Sequence, residues 1–387
     1  VIVTHLTLSD FRNYTSLDLE LKAGPNLFVG SNGQGKTNLV ESLGYLSTLG
    51  SHRVSTDQAM IRQGQDSAIV RARVAHDGRE ILVEVQLNRA SANRAQINRG
   101  AIKTRELPRY FSSVLFAPED LALVRGEPSG RRRFMDELLV LRTPRMSGVI
   151  ADYERVLKQR NTLLKSARSS GIKEGQLGTL DIWDERLIAL GTELIVARST
   201  LVTELSPEVA RHYEAVAGDD HAARLSTYLS ILASTPDDEM QDDRATASGD
   251  LAPETIAESF RAALARLRRT ELDRGLTLVG PHRDDLVLSL NGMPARGYAS
   301  HGESWSFALA LKLASATVLR RESSVGDPVL ILDDVFAELD ESRRGRLAGA
   351  VADFEQVLIT AAVFDDVPTA LAANVVRIRA GEVVSDA

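Results

Sequence analysis

Apolar and polar residues alternate at Ala68, Val70, Ala72 and Val74 and again at Ile81, Val83, Val85 and Leu87, with Asp77-Gly78 between the runs. A period of two predicts strands, and Asp-Gly between them predicts a tight hairpin. Residues 1–8 also read as a strand, and Asn291-Gly292 repeats the hairpin signal after the strand-like run 286–290. Over residues 131–205 the period changes: Leu187, Leu190, Leu194, Ile195 and Leu201 fall at helical spacing. Both ends are thus expected to build sheet and the middle a helical lobe. A loop at residues 169–178 interrupts that lobe, and residues 234–253, around Pro236-Asp237-Asp238, are too polar to pack and read as a flexible acidic surface segment. Without sustained heptads or an internal repeat, no long coiled-coil arm is expected.

With 387 residues, the chain has room for two domains, and a hydrophobic fraction of 43% is enough for a sizeable core. It has no cysteine, which excludes disulfides and thiolate metal sites and favours a reducing, cytoplasmic home. No apolar run approaches the ~20 residues of a membrane span, and residues 1–8 lack the regions of a signal peptide, so no membrane partner is expected. A net charge of −7 argues against coating nucleic acid by bulk charge. Its distribution is uneven: residues 121–170 hold eleven Lys or Arg against five Asp or Glu, and residues 234–258 hold one against eight.

The chemistry concentrates at two points. A short strand ending at Val29 leads into Gly30, Ser31, Asn32, Gly33, Gln34, Gly35, Lys36 and Thr37, and helical spacing follows. Strand, glycine-rich loop and helix in that order are the context of a Walker A loop, which binds ATP. Its glycines let successive N–H groups face a phosphate, and the helix N-terminus adds partial positive charge. Lys36 is expected to reach the β/γ oxygens and Thr37 to ligate Mg²⁺. Near the other end, Val329-Leu330-Ile331-Leu332 reads as a strand buried on both faces that delivers Asp333 and Asp334 at its edge. That is a Walker B pattern: Asp333 for Mg²⁺, and Asp334 to accept a proton from the attacking water.

Lys36 and Asp333 lie 297 positions apart, yet both must meet one Mg²⁺–phosphate group. The chain must therefore leave the ATPase core and return. This predicts an α/β fold, an ABC/SMC-like P-loop head built from both termini (residues 1–125 and 272–387), with an inserted compact helical second lobe (residues 126–271). Such heads offer a helix N-terminus to the nucleotide of a second subunit. Ser300 and Glu303 form a capping-box pattern opening an almost wholly apolar run, and Gly302 leaves room for a γ-phosphate. Asp340, just after Walker B, falls where these heads keep a D-loop.

At this point the sequence resembles the RecF family, SMC-like recombination mediators of bacteria, along most of its length. The resemblance rests on Leu8-Ser9-Asp10-Phe11-Arg12-Asn13-Tyr14, residues 30–41, Pro118-Glu119-Asp120-Leu121, residues 126–136, Gly280-Pro281-His282-Arg283-Asp284-Asp285 and residues 332–340. It implies an ATP-dependent homodimer that binds duplex DNA and single/double-strand junctions. It also implies cooperation with RecR and RecO in loading RecA on single strands, with weak DNA-stimulated ATPase activity. The chain departs from the family at the signature, where His301-Gly302-Glu303-Ser304-Trp305 replaces the usual Gln-Gly-Gln-Gln-Arg. Asp334 stands where most ABC proteins have Glu, and Ala361-Ala362-Val363 where they often place a switch His, so slow hydrolysis is expected.

Arg131, Arg132 and Arg133 are candidates for DNA phosphates, as are Arg89, Arg94, Arg99, Lys103 and Arg105 on an expected hairpin. Arg12, His52-Arg53 and His282-Arg283 are expected near the nucleotide loops. A different SMC-type head would carry a long arm. A transporter ATPase subunit would place its Walker motifs much closer together.

Overall fold

The computed structural model describes residues 1–170, 178–219, 221–233, 251–323 and 326–384. The chain divides into two compact units: Val1–Val124, Glu208–His221 and Ser300–Ala387 form the first, and Arg125–Pro207 with Ala222–Ala299 the second.

The first unit opens with β1 (Ile2–Phe11), β2 (Tyr14–Glu20), β3 (Gly24–Val29) and α1 (Lys36–Thr48), followed by β4 (Ser67–His76), β5 (Arg79–Asn88), β6 (Arg94–Ile97), β7 (Gly100–Ile102), β8 (Ser113–Phe116) and the short α2 (Leu121–Arg125). Strands β2-β1-β4-β5-β6-β7 form an antiparallel sheet in that order. Its alternating residues Ala68, Val70, Ala72, Val83, Val85 and Leu87 are fully buried, as the period of two requires. Asp77 and Gly78 both take positive φ, 47° and 72°, the backbone of a type I′ turn, whose twist matches that of the strands.

The second unit holds α3 (Pro128–Arg142), α4 (Met146–Ser169), most of α5 (Gly178–Ala217), β9 (Arg224–Tyr228), α6 (Pro253–Arg274), β10 (Asp285–Leu290), β11 (Met293–Pro294) and a single distorted turn, α7 (Ala295–Tyr298). It is not purely helical. β10 pairs antiparallel with both β9 and β11. This corrects two expectations, since β9 falls in the stretch read as helical and the Asn291-Gly292 hairpin belongs to this small sheet. Pairing with β9 also keeps residues 272–299 in the second unit rather than the head. Conversely, residues 208–221 join the first unit. His212 there bonds Thr317 at 2.9 Å, and Tyr213 packs edge-on against Phe307. Part of the 169–178 loop and most of the acidic stretch 234–253 lie outside the described residues.

The chain then completes the first unit with α8 (His301–Glu322), β12 (Val329–Asp333), α9 (Glu341–Val351), β13 (Gln356–Ala361), β14 (Asn374–Arg379) and β15 (Glu382–Val384). A second sheet runs β15-β14-β3-β13-β12-β8, parallel except for β15. Every residue of β12 and β13 is buried, which is why their sequences read as apolar runs without alternation. In such a sheet, ligands are met at the carboxyl ends of the strands. Those of β3, β12 and β13 carry the candidate residues.

Candidate nucleotide site

The phosphate loop leaves the end of β3. A Cβ on Gly30 would stand 2.3 Å from the Ile378 carbonyl oxygen of β14, so the neighbouring strand admits no side chain there. Gly35 has φ +114°, and a Cβ would meet Asn13 Nδ2 at 2.7 Å and the Tyr14 hydroxyl at 3.0 Å. Those two neighbours hold the loop. Asn13 Nδ2 donates to Gln34 O at 3.2 Å, and the Tyr14 hydroxyl donates to Gly35 O at 3.0 Å. From the other side, Ala380 N donates to Gln34 Oε1 at 2.6 Å and Gly381 N to Gln34 O at 2.9 Å. Ser31, Asn32 and Gly33 stay exposed at the tip, while Lys36 is buried and bends its Nζ back to Ser31 O at 3.4 Å. The N-terminus of α1 has no side-chain cap. Its open N–H groups and partial positive charge suit an anion.

Across 296 positions of sequence, Thr37 Oγ1 donates to Asp333 Oδ1 at 3.0 Å. Asp333 is 3% exposed at the end of β12, and Thr360, opposite it on β13, donates to the same Oδ1 at 2.6 Å. Asp334 turns into the left-handed region, φ 52°, with its N–H on Thr360 Oγ1 at 2.9 Å. Burial raises the Asp334 carboxyl above the usual range, opposed by the Lys36 charge and reinforced by Asp333. A raised carboxyl is better matched to accepting a proton from water near neutral pH. A hydroxyl and one carboxylate beside a phosphate loop are the donor set Mg²⁺ uses, completed by phosphate and water. Thr37 and Asp333 are the residues that would hold it.

A supporting layer surrounds this pair. Arg12 grips Glu41 of α1 with Nε at 2.8 Å and a terminal nitrogen at 2.6 Å, and Ser51 bonds the same carboxylate. Arg53 donates to Asn38 Oδ1 at 2.8 Å, and His52 Nε2 lies 3.6 Å from Asp333 Oδ2. His282 belongs to the second unit, where Tyr153 donates to Nδ1 at 2.7 Å and burial pushes its pKa down to about 3.

The signature residues assemble around Arg343. Ser300 Oγ accepts the Glu303 N–H at 3.2 Å, and Glu303 Oε2 accepts the Ser300 N–H at 2.7 Å, the reciprocal box the spacing predicts. Asp340 caps α9 by accepting the Arg343 N–H at 2.9 Å. The Arg343 guanidinium bonds Asp340 and reaches Ser306 Oγ at 3.2 Å. A Cβ on Gly302 would lie 2.9 Å from that guanidinium, so here the glycine makes room for an arginine.

The family model described as RecF/RecN/SMC N terminal domain matches residues 2–382. The chain is 68% identical to the DNA replication and repair protein RecF of Clavibacter michiganensis subsp. michiganensis, over 99% of this chain and 96% of that one. The chain belongs to the RecF family. The RecF of Frankia alni is 53% identical over 99% of both chains. A solved structure described as the recombination mediator protein RecF-ATP in the RecFOR pathway superposes with a TM-score of 0.86 at 28% identity, covering 100% of this chain and 97% of that one. An Smc head bound to the C-winged helix domain of ScpA, at 14% identity and TM-score 0.53 over 99% and 97% of the chains, shares the fold.

In this RecF-family chain the arginine run divides. Arg131 is 4% exposed and makes two 2.8 Å bonds to the buried Asp285 carboxylate and a third to Gly126 O at 3.0 Å. It is corrected from a DNA candidate to the core of the second unit, because a buried guanidinium on a carboxylate cannot reach a phosphate. Arg132 is half-buried and bonds Asp284 O at 2.8 Å. Arg133 remains exposed, in an i,i+4 pair with Glu137. Arg89 is likewise spent, on the carbonyls of Gln65, Ile61 and Arg62, whereas Arg94, Arg99, Lys103 and Arg105 are exposed. Thr360 and Arg343 were not singled out from sequence, and Asn13 and Glu41 entered only as members of longer stretches. A threonine ending an apolar strand is the one signal among them.

Proposed function

We propose that the chain is an ATP-dependent DNA-binding protein of recombinational repair and replication-fork maintenance. ATP and Mg²⁺ bind at Lys36, Thr37 and Asp333, and two copies close on the nucleotide through Ser300 and Gly302. The closed homodimer binds duplex DNA and single/double-strand junctions and, with RecR and RecO, helps load RecA. Slow hydrolysis, with Asp334 receiving the proton of the attacking water, resets it. The hydrogen bond from Thr37 to Asp333 carries the reading, because it joins the two nucleotide motifs at the carboxyl ends of β3 and β12, the strands on either side of β13.

DNA contacts are best sought on the β6–β7 edge of the first sheet, where residues 94–109 hold five Lys or Arg against one Glu, and separately at Arg133 of the second unit. Such contacts neutralise phosphates without reading bases. Ser300→Arg tests the two-subunit site. It puts bulk at the turn that meets the other subunit's nucleotide while leaving its own phosphate loop intact. The variant should bind ATP normally, stay monomeric with ATP in ultracentrifugation and lose ATP-dependent DNA binding. Dimerisation of the variant with ATP would sink the composite site.

A further inference from the structure

His52 belongs to no nucleotide motif, yet its ring stands beside the carboxylate assigned to the metal. It follows α1 in a turn that is firmly held: Ser51 Oγ accepts the N–H groups of Arg53 at 2.9 Å and Val54 at 3.2 Å, and donates to Glu41, which Arg12 clamps. The side chain is 15% exposed, and Nε2 is buried without a hydrogen-bond partner. It faces Asp333 Oδ2 from 3.6 Å, just beyond bonding distance. The other oxygen of that carboxylate, Oδ1, takes both hydroxyl donors, Thr37 and Thr360. Oδ2 is thus the oxygen left for His52.

We propose that His52 is a positioning residue for Asp333. Its Nε2–H donates to Oδ2, directly after a small closure or through one water, and fixes the plane of the carboxylate so that Thr37 and Asp333 face the metal together. The inference rests on the reading of Asp333 as the Mg²⁺ carboxylate. Partners that orient a ligating carboxylate typically change metal affinity 10–100-fold when removed.

The experiment is a Mg²⁺ titration of the full chain with a fluorescent ATP analogue, beside the same binding measured in EDTA. His52→Leu, which fills the space without a donor, should raise the Mg²⁺ needed for half-maximal tight binding about tenfold and leave binding in EDTA unchanged. His52→Gln, whose amide can reach the same oxygen, should restore most of the loss. If the Leu variant folds poorly, His52→Asn, too short to reach, replaces it. Unchanged Mg²⁺ dependence would overturn the proposal, as would an equal loss in EDTA, which marks a packing role. Asp333→Asn separates the two readings. If it shifts the Mg²⁺ dependence and His52→Leu does not, this inference alone fails, and if neither does, the metal assignment of Asp333 fails with it.

Discussion

Thr360 serves Asp333 and its successor with one hydroxyl, donating to Asp333 Oδ1 at 2.6 Å while accepting the Asp334 N–H at 2.9 Å. Thr360→Val keeps the shape but removes both bonds. Leaving buried polar groups unpaired costs about 1–3 kcal/mol, and Mg²⁺-dependent ATP binding should weaken roughly tenfold. Thr360→Ser should retain most of both. Denaturant unfolding and metal titration read the two effects, and a Val variant matching the unmodified chain in both would remove Thr360 from the site.

Lys36→Ala should abolish tight ATP binding, because it removes the buried ammonium that lies on Ser31 O within the loop and that is proposed to meet the phosphates. Asp334→Asn should bind ATP as before but turn it over at least about 10²-fold more slowly, the usual weight of a positioned base. Equilibrium binding and single-turnover phosphate release distinguish them. Normal nucleotide affinity in the first variant, or normal turnover in the second, would reassign that residue.

Adjacent arginines should fail differently. Arg131→Gln takes from the buried Asp285 the guanidinium that pairs with it, a loss of about 3–5 kcal/mol, seen as a lower melting temperature. Arg133→Gln should leave stability within about 0.5 kcal/mol and reduce the salt slope of DNA binding by about 1. An unaltered slope would make Arg133 part of a solvated face only.

Two neighbours in the second unit titrate against each other. Asp284 is buried, accepts from the Ser230 N–H and hydroxyl, and is pushed up to about 6 by that burial. Its native form holds a proton that the unfolded chain releases above about pH 4, so its contribution falls as pH rises through 6. His282, pushed down to about 3 by burial, does the reverse: its contribution is present above the unfolded value near 6.5 and is lost as pH falls. Between about pH 4.5 and 6 the two slopes oppose. Relative to the unmodified chain, Asp284→Asn should make stability rise more steeply with pH in that window, and His282→Gln should make it rise less or fall. Urea midpoints across the window check both signs. Parallel curves for all three proteins would mean that neither group titrates differently on folding.

What could be read from sequence depended on how local the determinant was. The phosphate loop and the β12 run announce themselves within a few residues, because glycines and continuous apolar character have one main physical use in that order. The β4–β5 hairpin was legible for the same reason, Asp77-Gly78 between alternating strands. β9 was hidden, since the five residues Arg224–Tyr228 carry too little pattern to stand against their helical surroundings and become a strand only by pairing with β10. Arg131 shows the same limit. Three consecutive arginines on a helix point in different directions, and only the fold reveals that one of them faces Asp285.

The order of the parallel sheet has a consequence for synthesis. β3, which launches the phosphate loop, lies between β13 and β14, the third-last and second-last strands among the described residues. A nascent chain that has already made Lys36 therefore has no neighbours for that strand until residues 356–379 have left the ribosome, and the Ala380 and Gly381 amides that tie down Gln34 come later still. Contacts of such sequence separation form late and slowly. The capacity to hold nucleotide is thus acquired in one step once these strands are made, and chains cut short before Arg379 should emerge unable to bind ATP even though every residue of the loop is present.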